Sequence, residues 1–351
     1  MHEDGKRRQA GLLERLEHGP VICAEGYLFE FERRGYLQAG AFVPEVVLEQ
    51  PELVGELHRE FVYAGSDVVE AFTYYAHREK LRIIGREGDL EPLNRQALAI
   101  AKEIAEESGA LFAGDICNTN VYSPDEATQR EVRTMFEEQV TWAVEAGVDF
   151  MIAETYSWLG EAELALDVIK EAGLPVVVTL AVHREPVTRD GVPPEEACKR
   201  LEERGADVVG LNCIRGPQTM LPLLEKVRVA VDTHVAALPV PYRTREHEPT
   251  FQALRDPEYD RFPTGQPFPT ALDPFQCNRY EIADFTRAAV DLGVTYLGIC
   301  CGNAPHYTRS MAEALGRRPP ASRYSADMSK HAYLGTDESL RPENVEFAKE
   351  L

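Results

Sequence analysis

The sequence predicts a single (β/α)8 barrel, and three observations predict it. One short pattern recurs along the chain, the segments it marks off number eight, and no glycine-rich dinucleotide loop follows the first of them. The recurring pattern is a helical stretch closed by glycine and followed at once by an apolar run. It reads Ala64-Gly65-Ser66-Asp67 before Val68-Val69, Ala146-Gly147-Val148-Asp149 before Phe150, Arg204-Gly205-Ala206-Asp207 before Val208, and Leu292-Gly293-Val294-Thr295 before Tyr296. Looser copies stand at Ser108-Gly109-Ala110 and Ala172-Gly173-Leu174-Pro175. Glycine after a last helical turn closes it in the left-handed conformation, and a short continuous apolar run suits a strand buried on both faces. The main rival is a doubly wound open sheet.

In order, strands are expected near 20–24, 67–73, 110–116, 148–154, 174–181, 206–213, 233–238 and 294–301. Helical patterns separate them near 50–64, 92–108, 126–146, 160–172, 194–204, 217–231 and 279–292, with a last one near 304–316. Long loops follow strand one, at about 25–49 with Tyr27, Phe29, Phe31, Tyr36 and Phe42, and strand seven, at about 239–278. Loops of this length are rarely idle, so each is expected to be a lid or binding surface, or for the second a subunit contact. The barrel is expected to fill residues 1–318. Residues 319–351, opening on Pro319-Pro320, form a short C-terminal tail that could serve as an oligomer arm.

The chain has 351 residues and a net charge of −22, with 44% hydrophobic and 27% charged residues, a globular balance that excludes disorder as the dominant state. Nucleic acid is excluded as a partner, because Lys and Arg are scattered in an acidic excess and form no basic stripe. That excess either favours cationic small molecules through its field or is simply a well-solvated surface. No apolar run approaches the roughly 20 residues of a membrane helix. The start, Met-His-Glu-Asp-Gly-Lys-Arg-Arg, leads into a charged helix where a signal peptide would be apolar. A cytoplasmic protein with no membrane partner is expected, and its seven cysteines read as thiols or metal ligands before a disulfide framework.

Chemistry concentrates where three of those cysteines fall. Gly210-Leu211-Asn212-Cys213 closes the sixth strand and Gly298-Ile299-Cys300-Cys301-Gly302-Asn303 the eighth. Both strand ends belong to the face where barrel enzymes keep their chemistry, so Cys213, Cys300 and Cys301 can converge there. Three thiolates suit Zn2+ and leave a fourth tetrahedral position open; Cys300 and Cys301 could equally be buried small apolar residues. Cys23, Cys117, Cys198 and Cys277 read as ordinary thiols, of which Cys117 ends strand three.

Those two motifs resemble the zinc signature of the homocysteine S-methyltransferase family, closest to its betaine–homocysteine branch. The resemblance extends through Glu32-Arg33-Arg34-Gly35-Tyr36, Leu57-His58-Arg59-Glu60-Phe61, Ala71-Phe72-Thr73-Tyr74-Tyr75-Ala76, Ile152-Ala153-Glu154 and Gly191-Val192-Pro193-Pro194, over roughly residues 20 to 330. It implies a zinc (β/α)8 barrel with Cys213, Cys300 and Cys301 as ligands, methylating homocysteine to methionine from an onium donor such as glycine betaine or a related betaine or sulfonium. By the same resemblance Tyr75 belongs to the donor pocket and Glu154 pairs with the substrate ammonium, the two carrying the catalytic role. Phe42 stands where the betaine enzymes have tryptophan and Thr155 where they have tyrosine, with Tyr156 adjacent and able to turn inward. The family's Asp-Gly-Gly is here Ala24-Glu25-Gly26, so Glu25 would have to restore the carboxylate from one residue later. Thr73 and Asn212 complete the expected polar lining. S-methylmethionine or S-adenosylmethionine as donor, or a zinc-binding barrel without turnover, are the alternatives. The partners expected are the small-molecule substrates and a second copy in a dimer.

Overall fold

The computed structural model describes residues 10–257 and 265–350, so the charged start of the chain and residues 258–264 of the second long loop lie outside the described residues. Among the described residues, eight parallel strands pair in sequence order and close into a barrel, β1 against β8, which excludes the open sheet. The strands are β1 (Val21–Ala24), β2 (Val68–Glu70), β3 (Leu111–Cys117), β4 (Phe150–Tyr156), β5 (Val176–Leu180), β6 (Val208–Asn212), β7 (His234–Leu238) and β8 (Tyr296–Ile299). Helix α1 (Leu12–His18) precedes the barrel, and α2 (Tyr27–Arg33), α3 (Val46–Glu49) and α4 (Pro51–Ala64) follow β1. Next come α5 (Arg78–Ile83), α6 (Leu90–Ser108), α7 (Glu126–Ala146), α8 (Leu159–Glu171), α9 (Pro194–Glu203), α10 (Pro217–Ala230), α11 (Arg279–Asp291) and α12 (Pro305–Ala314). No helix among the described residues is long and apolar enough to cross a membrane.

The recurring sequence pattern has a structural reason beyond its glycine. The aspartate two residues after that glycine accepts a backbone amide from the preceding strand: Asp67 from Ile22 at 2.8 Å, Asp149 from Phe112 at 2.8 Å and Asp207 from Val176 at 2.9 Å. In each case the aspartate's own amide donates back to the same residue's carbonyl, at 2.7, 2.8 and 3.2 Å. Even-numbered strands are thus tied at their feet to the odd strand before them. At β8 the aspartate is replaced by Thr295, whose hydroxyl meets His234 at 3.0 Å instead.

Inside the barrel, alternation sorts residues into two layers of opposite character. The lower layer is apolar and dry, built from Val21, Cys23, Val68, Leu111, Ala113, Phe150, Ile152, Val177, Val208 and Tyr296. One step further along the same strands stand Glu25, Glu70, Asp115, Glu154, Thr179 and Asn212, all buried. Such polarity stacked on an apolar floor confines chemistry to the C-terminal mouth.

The first long loop differs from expectation. Residues 27–33 and 46–49 are helical, because Tyr27, Leu28, Phe29 and Phe31 are buried all round the α2 helix, which erases the one-sided periodicity by which a helix is read. This segment and the second long loop meet over the mouth: Phe29 lies 6.1 Å from Phe251, and Arg33 donates to the Tyr242 hydroxyl at 2.9 Å. In the tail, Pro320–Tyr324 and Met328–Lys330 are short 3-10 turns and α13 (Pro342–Phe347) is a single exposed helix; Ala321 is buried, whereas Leu334 and Phe347 are exposed.

The aspartate ties generate a test. Asp149→Ala leaves the Phe112 amide without its acceptor and is expected to cost about 1–3 kcal/mol, read from the denaturant midpoint, with Asp149→Asn costing less because an acceptor remains.

Candidate functional site

Three sulfurs meet at the mouth. Cys213 follows β6 directly and has a left-handed backbone, φ 56°, that turns its side chain in while its amide donates to the Leu238 carbonyl at 2.8 Å. Cys300 and Cys301 end β8, where Gly302 takes φ 97° under the Tyr242 ring, a position in which a Cβ would stand 2.5 Å from the Tyr242 oxygen. Gly26 lets the end of β1 pass the same turn, since a Cβ there would lie 2.2 Å from the Cys300 carbonyl oxygen. The Cys213 and Cys301 sulfurs are 3.4 Å apart and those of Cys300 and Cys301 3.9 Å, with all three mutually within 4.8 Å. Two ligands about 2.3 Å from one tetrahedral ion must themselves lie roughly 3.8 Å apart, so these thiols fit a soft divalent metal ion. Hydrogen bonds from the Cys300 and Cys301 thiols hold the Cys213 thiol well below its ordinary pKa. Burial raises that of Cys300, and the bond to Cys213 raises that of Cys301.

Carboxylates adjoin the sulfurs. Glu154 ends the inward run of β4, and its Oε2 accepts from the Asn212 amide at 2.6 Å and the Thr155 hydroxyl at 2.9 Å. Asn212 in turn accepts from the Thr155 amide at 3.1 Å and stands 3.9 Å from the Cys300 sulfur, joining the carboxylate to the thiol cluster. Glu25 points into the barrel, one of its oxygens within 4.8 Å of a Glu154 oxygen and of the Cys300 sulfur, whereas Ala24 faces the aromatic cluster outside. Glu25 therefore supplies a carboxylate that Ala24 lacks. Beneath lie two acids that the sequence reading passed over, Glu70 and Asp115, the latter with both oxygens lacking a hydrogen-bond donor. Their parity with Val68 and Leu111 was the available signal, hidden because these strands read as continuous apolar runs. Burial, then mutual repulsion, raises the pKa of Glu25, Glu70 and Asp115 well above the usual carboxylate range, and burial pushes Glu154 up to about 8.

Above the sulfurs opens a cavity of about 290 Å³ whose wall includes Cys213, Cys301, Tyr75, Phe42, Thr155 and Glu161. Among the described residues, six that are not glycine have positive φ: Phe42, Tyr75, Asn120, Thr155, Cys213 and Ile214. All six line this cavity. Such backbones cost on the order of 1–3 kcal/mol each, most for β-branched Thr155 and Ile214, and strain of this kind clusters where side chains are held for use.

The remaining expected residues divide. Phe42 lies stacked on Phe29 at 5.6 Å, and Tyr75 faces the cavity with the Lys80 ammonium 3.8 Å over one face of its ring. Cys117 accepts the Tyr75 amide at 3.2 Å, so its sulfur supports that tyrosine and stands apart from the three-thiol cluster. Thr73 departs from expectation: its hydroxyl donates to the Asp115 carbonyl at 2.7 Å, bracing β2 against β3, and it lines neither the cavity nor the acid layer. Tyr156 does not turn inward. The left-handed Thr155 shifts the β4–β5 register between Ala153 and Tyr156, which reverses the parity and sends the ring outward, edge-on to Phe136 at 6.0 Å. Tyr74, Tyr122, Trp158, Arg189, Phe251 and Phe268 also line the cavity and were not singled out from sequence. Several sit just beyond strand ends, the one positional hint available.

Comparison with known proteins points the same way. A family model described as homocysteine S-methyltransferase matches residues 26–315. A betaine–homocysteine S-methyltransferase 1 from Xenopus laevis is 38% identical over 316 residues, covering 87% of this chain and 75% of that protein. An S-methylmethionine–homocysteine S-methyltransferase from Pongo abelii is 36% identical, covering 92% of this chain and 86% of its own. Among solved structures, the metallated form of the homocysteine methyltransferase MmuM from Escherichia coli superposes with a TM-score of 0.66 at 16% identity, covering 84% of this chain and 96% of that one, a likeness of fold.

The acid layer yields a pH prediction. A carboxyl whose folded pKa is raised stabilises the fold at low pH, and that contribution is lost as pH rises through the folded value. Asp115→Asn removes the group that must ionise, so its melting temperature in the metal-free protein should exceed the wild type's at pH 8 and converge on it toward pH 5. A constant gap across that range would contradict the assignment.

Proposed function

Because the chain belongs to the homocysteine S-methyltransferase family, we propose that it moves a methyl group from an onium donor to the thiol of homocysteine, giving methionine. The observation that carries this reading is the meeting of three thiols, two desolvated carboxylates and an aromatic-walled cavity at one barrel mouth.

Cys213, Cys300 and Cys301 would hold zinc, which their sulfur separations fit. When bound, zinc would supply the Lewis acidity that keeps a thiol ionised at neutral pH. Glu154 and Glu25 would take the ammonium of homocysteine. Burial favours the neutral form of each carboxyl and an arriving cation favours the ionised one, so each could ionise beside the ammonium. Asn212 and Thr155 fix the Glu154 carboxylate through three hydrogen bonds among them, orienting the bound amino acid relative to the sulfurs. On the donor side, Tyr75 and Phe42 offer ring faces to a positively charged nitrogen or sulfur. An onium that gives up a methyl leaves as a neutral amine or sulfide, so these rings lose their hold on the product and general acid help is dispensable. What the strained backbones at Tyr75, Thr155 and Cys213 contribute is alignment of sulfur, methyl and leaving atom.

A sulfonium donor is the second reading, favoured by Lys80 covering one face of Tyr75 and by phenylalanine at position 42, which together leave a smaller cage than a tryptophan would. The unpaired thiols suit a reducing compartment, and we place the protein in the cytoplasm; exposed Leu334 and Phe347 support the tail as a contact between two copies in a dimer.

Purified protein supplied with zinc, homocysteine and either glycine betaine or S-methylmethionine should form methionine, and no product with any onium donor would refute the proposal. Cys213→Ala and Cys300→Ser are expected to lose zinc and turnover together; full zinc occupancy by elemental analysis in either would remove that residue from the ligand set. Tyr75→Ala should weaken kcat/KM for the donor by about 0.5–2 kcal/mol, while homocysteine KM stays unchanged.

A further inference from the structure

Arg189 brings a positive charge to a cavity walled by rings, thiols and uncharged polar groups with the one acid Glu161. It sits in the loop after β5, and that loop is pegged: Asp190 accepts the Leu159 and Gly160 amides at 3.0 Å each, at the start of α8, and the Arg189 amide donates to the Ser157 carbonyl at 2.7 Å. The guanidinium lies over Trp158, its central carbon 4.9 Å from the ring centroid. Among the described residues no carboxylate comes within salt-bridge distance of it. Glu161, the acid that acts on it through space, is already occupied by the Thr119 amide and hydroxyl at 2.7 and 2.6 Å. Fourteen arginines among the described residues are ion-paired, and Arg189 stands apart from them. An exposed arginine set over an aromatic ring at the cavity edge, with no carboxylate partner of its own, is suited to a carboxylate.

We propose that Arg189 is the carboxylate anchor of the methyl-donor site, holding the acid end of an onium that bears its own carboxylate. The cavity then reads as dipolar. Tyr75 and Phe42 face the onium end beside the sulfurs of Cys213 and Cys301, and Arg189 on Trp158 faces the acid end on the same cavity wall. The anchor binds the part of the donor that does not react, and fixing that remote end aims the methyl group at the sulfurs. The assignment rests on the donor-site reading given above, but it concerns binding and can be tested without turnover.

Trp158 reports on its own cavity once the chain's other tryptophan is removed, so Trp142→Phe protein with zinc is the background. Titrating its fluorescence with glycine betaine, S-methylmethionine and choline should give a saturable response to at least one zwitterion and a weaker one to choline. Arg189→Gln should raise the zwitterion's dissociation constant about tenfold or more, with Arg189→Lys between the two, and leave choline binding unchanged. Equal zwitterion affinity in Arg189→Gln, choline binding as tight as the zwitterions, or no saturable response to either zwitterion would overturn the anchor. Methionine formation followed in the same proteins separates the two readings. Arg189-dependent binding without turnover would sink the methyl transfer and keep the anchor, whereas turnover with an unchanged donor KM in Arg189→Gln would sink the anchor and keep the methyl transfer.

Discussion

Closure of the eight-strand ladder is the constraint on which everything else depends. β6 and β8 are separated by some eighty residues of chain, yet with β7 between them they end side by side, and only that arrangement brings the Cys213 sulfur to 3.4 Å from that of Cys301. The approach is tight enough to dictate neighbouring residues. Gly26 has to be glycine because the Cys300 carbonyl occupies the space of its Cβ, and Cys213 has to adopt a backbone that non-glycine residues avoid. The geometry of the three thiols is therefore a property of the barrel rim, held by strand pairing from below and by the Tyr242 and Leu238 contacts at the side.

The same closure creates the charge economy of the interior. Carboxylates stacked on a dry apolar floor are costly to ionise, and burial with mutual repulsion raises their pKa values. Such a layer selects for substrates that carry positive charge into the barrel. It also suggests why the protein tolerates strain at the mouth: six left-handed residues hold rings, a thiol and a hydroxyl around one cavity, and the apolar floor and helix shell supply the stability that this positioning costs.

The long connections complete the site. Residues after β1 and after β7 contribute Phe29, Phe42, Phe251 and Phe268, which touch one another over the mouth and form an aromatic roof, while the short pegged loop after β5 brings the lone cation of Arg189 to the wall among the described residues. The mouth thus offers surroundings of opposite kind, carboxylates below and rings above, with the sulfurs where the two meet.

The eightfold repeat and the two cysteine motifs, with their positions at strand ends, were legible in the chain because each depends on residues adjacent in sequence: a glycine that ends a helix, a β-branched run, a pair of thiols. Tyr75 and Glu154, singled out by resemblance, stand at the mouth cavities. Which residues face inward was not legible. Glu25 turned in while Ala24 turned out, Tyr156 was sent outward by a single left-handed residue before it, Thr73 was claimed by a neighbouring strand's carbonyl, and Glu70, Asp115 and Arg189 were passed over. Side-chain direction follows from where a strand starts, whether it bulges and how the ring of strands closes, and those are settled by partners distant in the chain, so only the tertiary structure decides them.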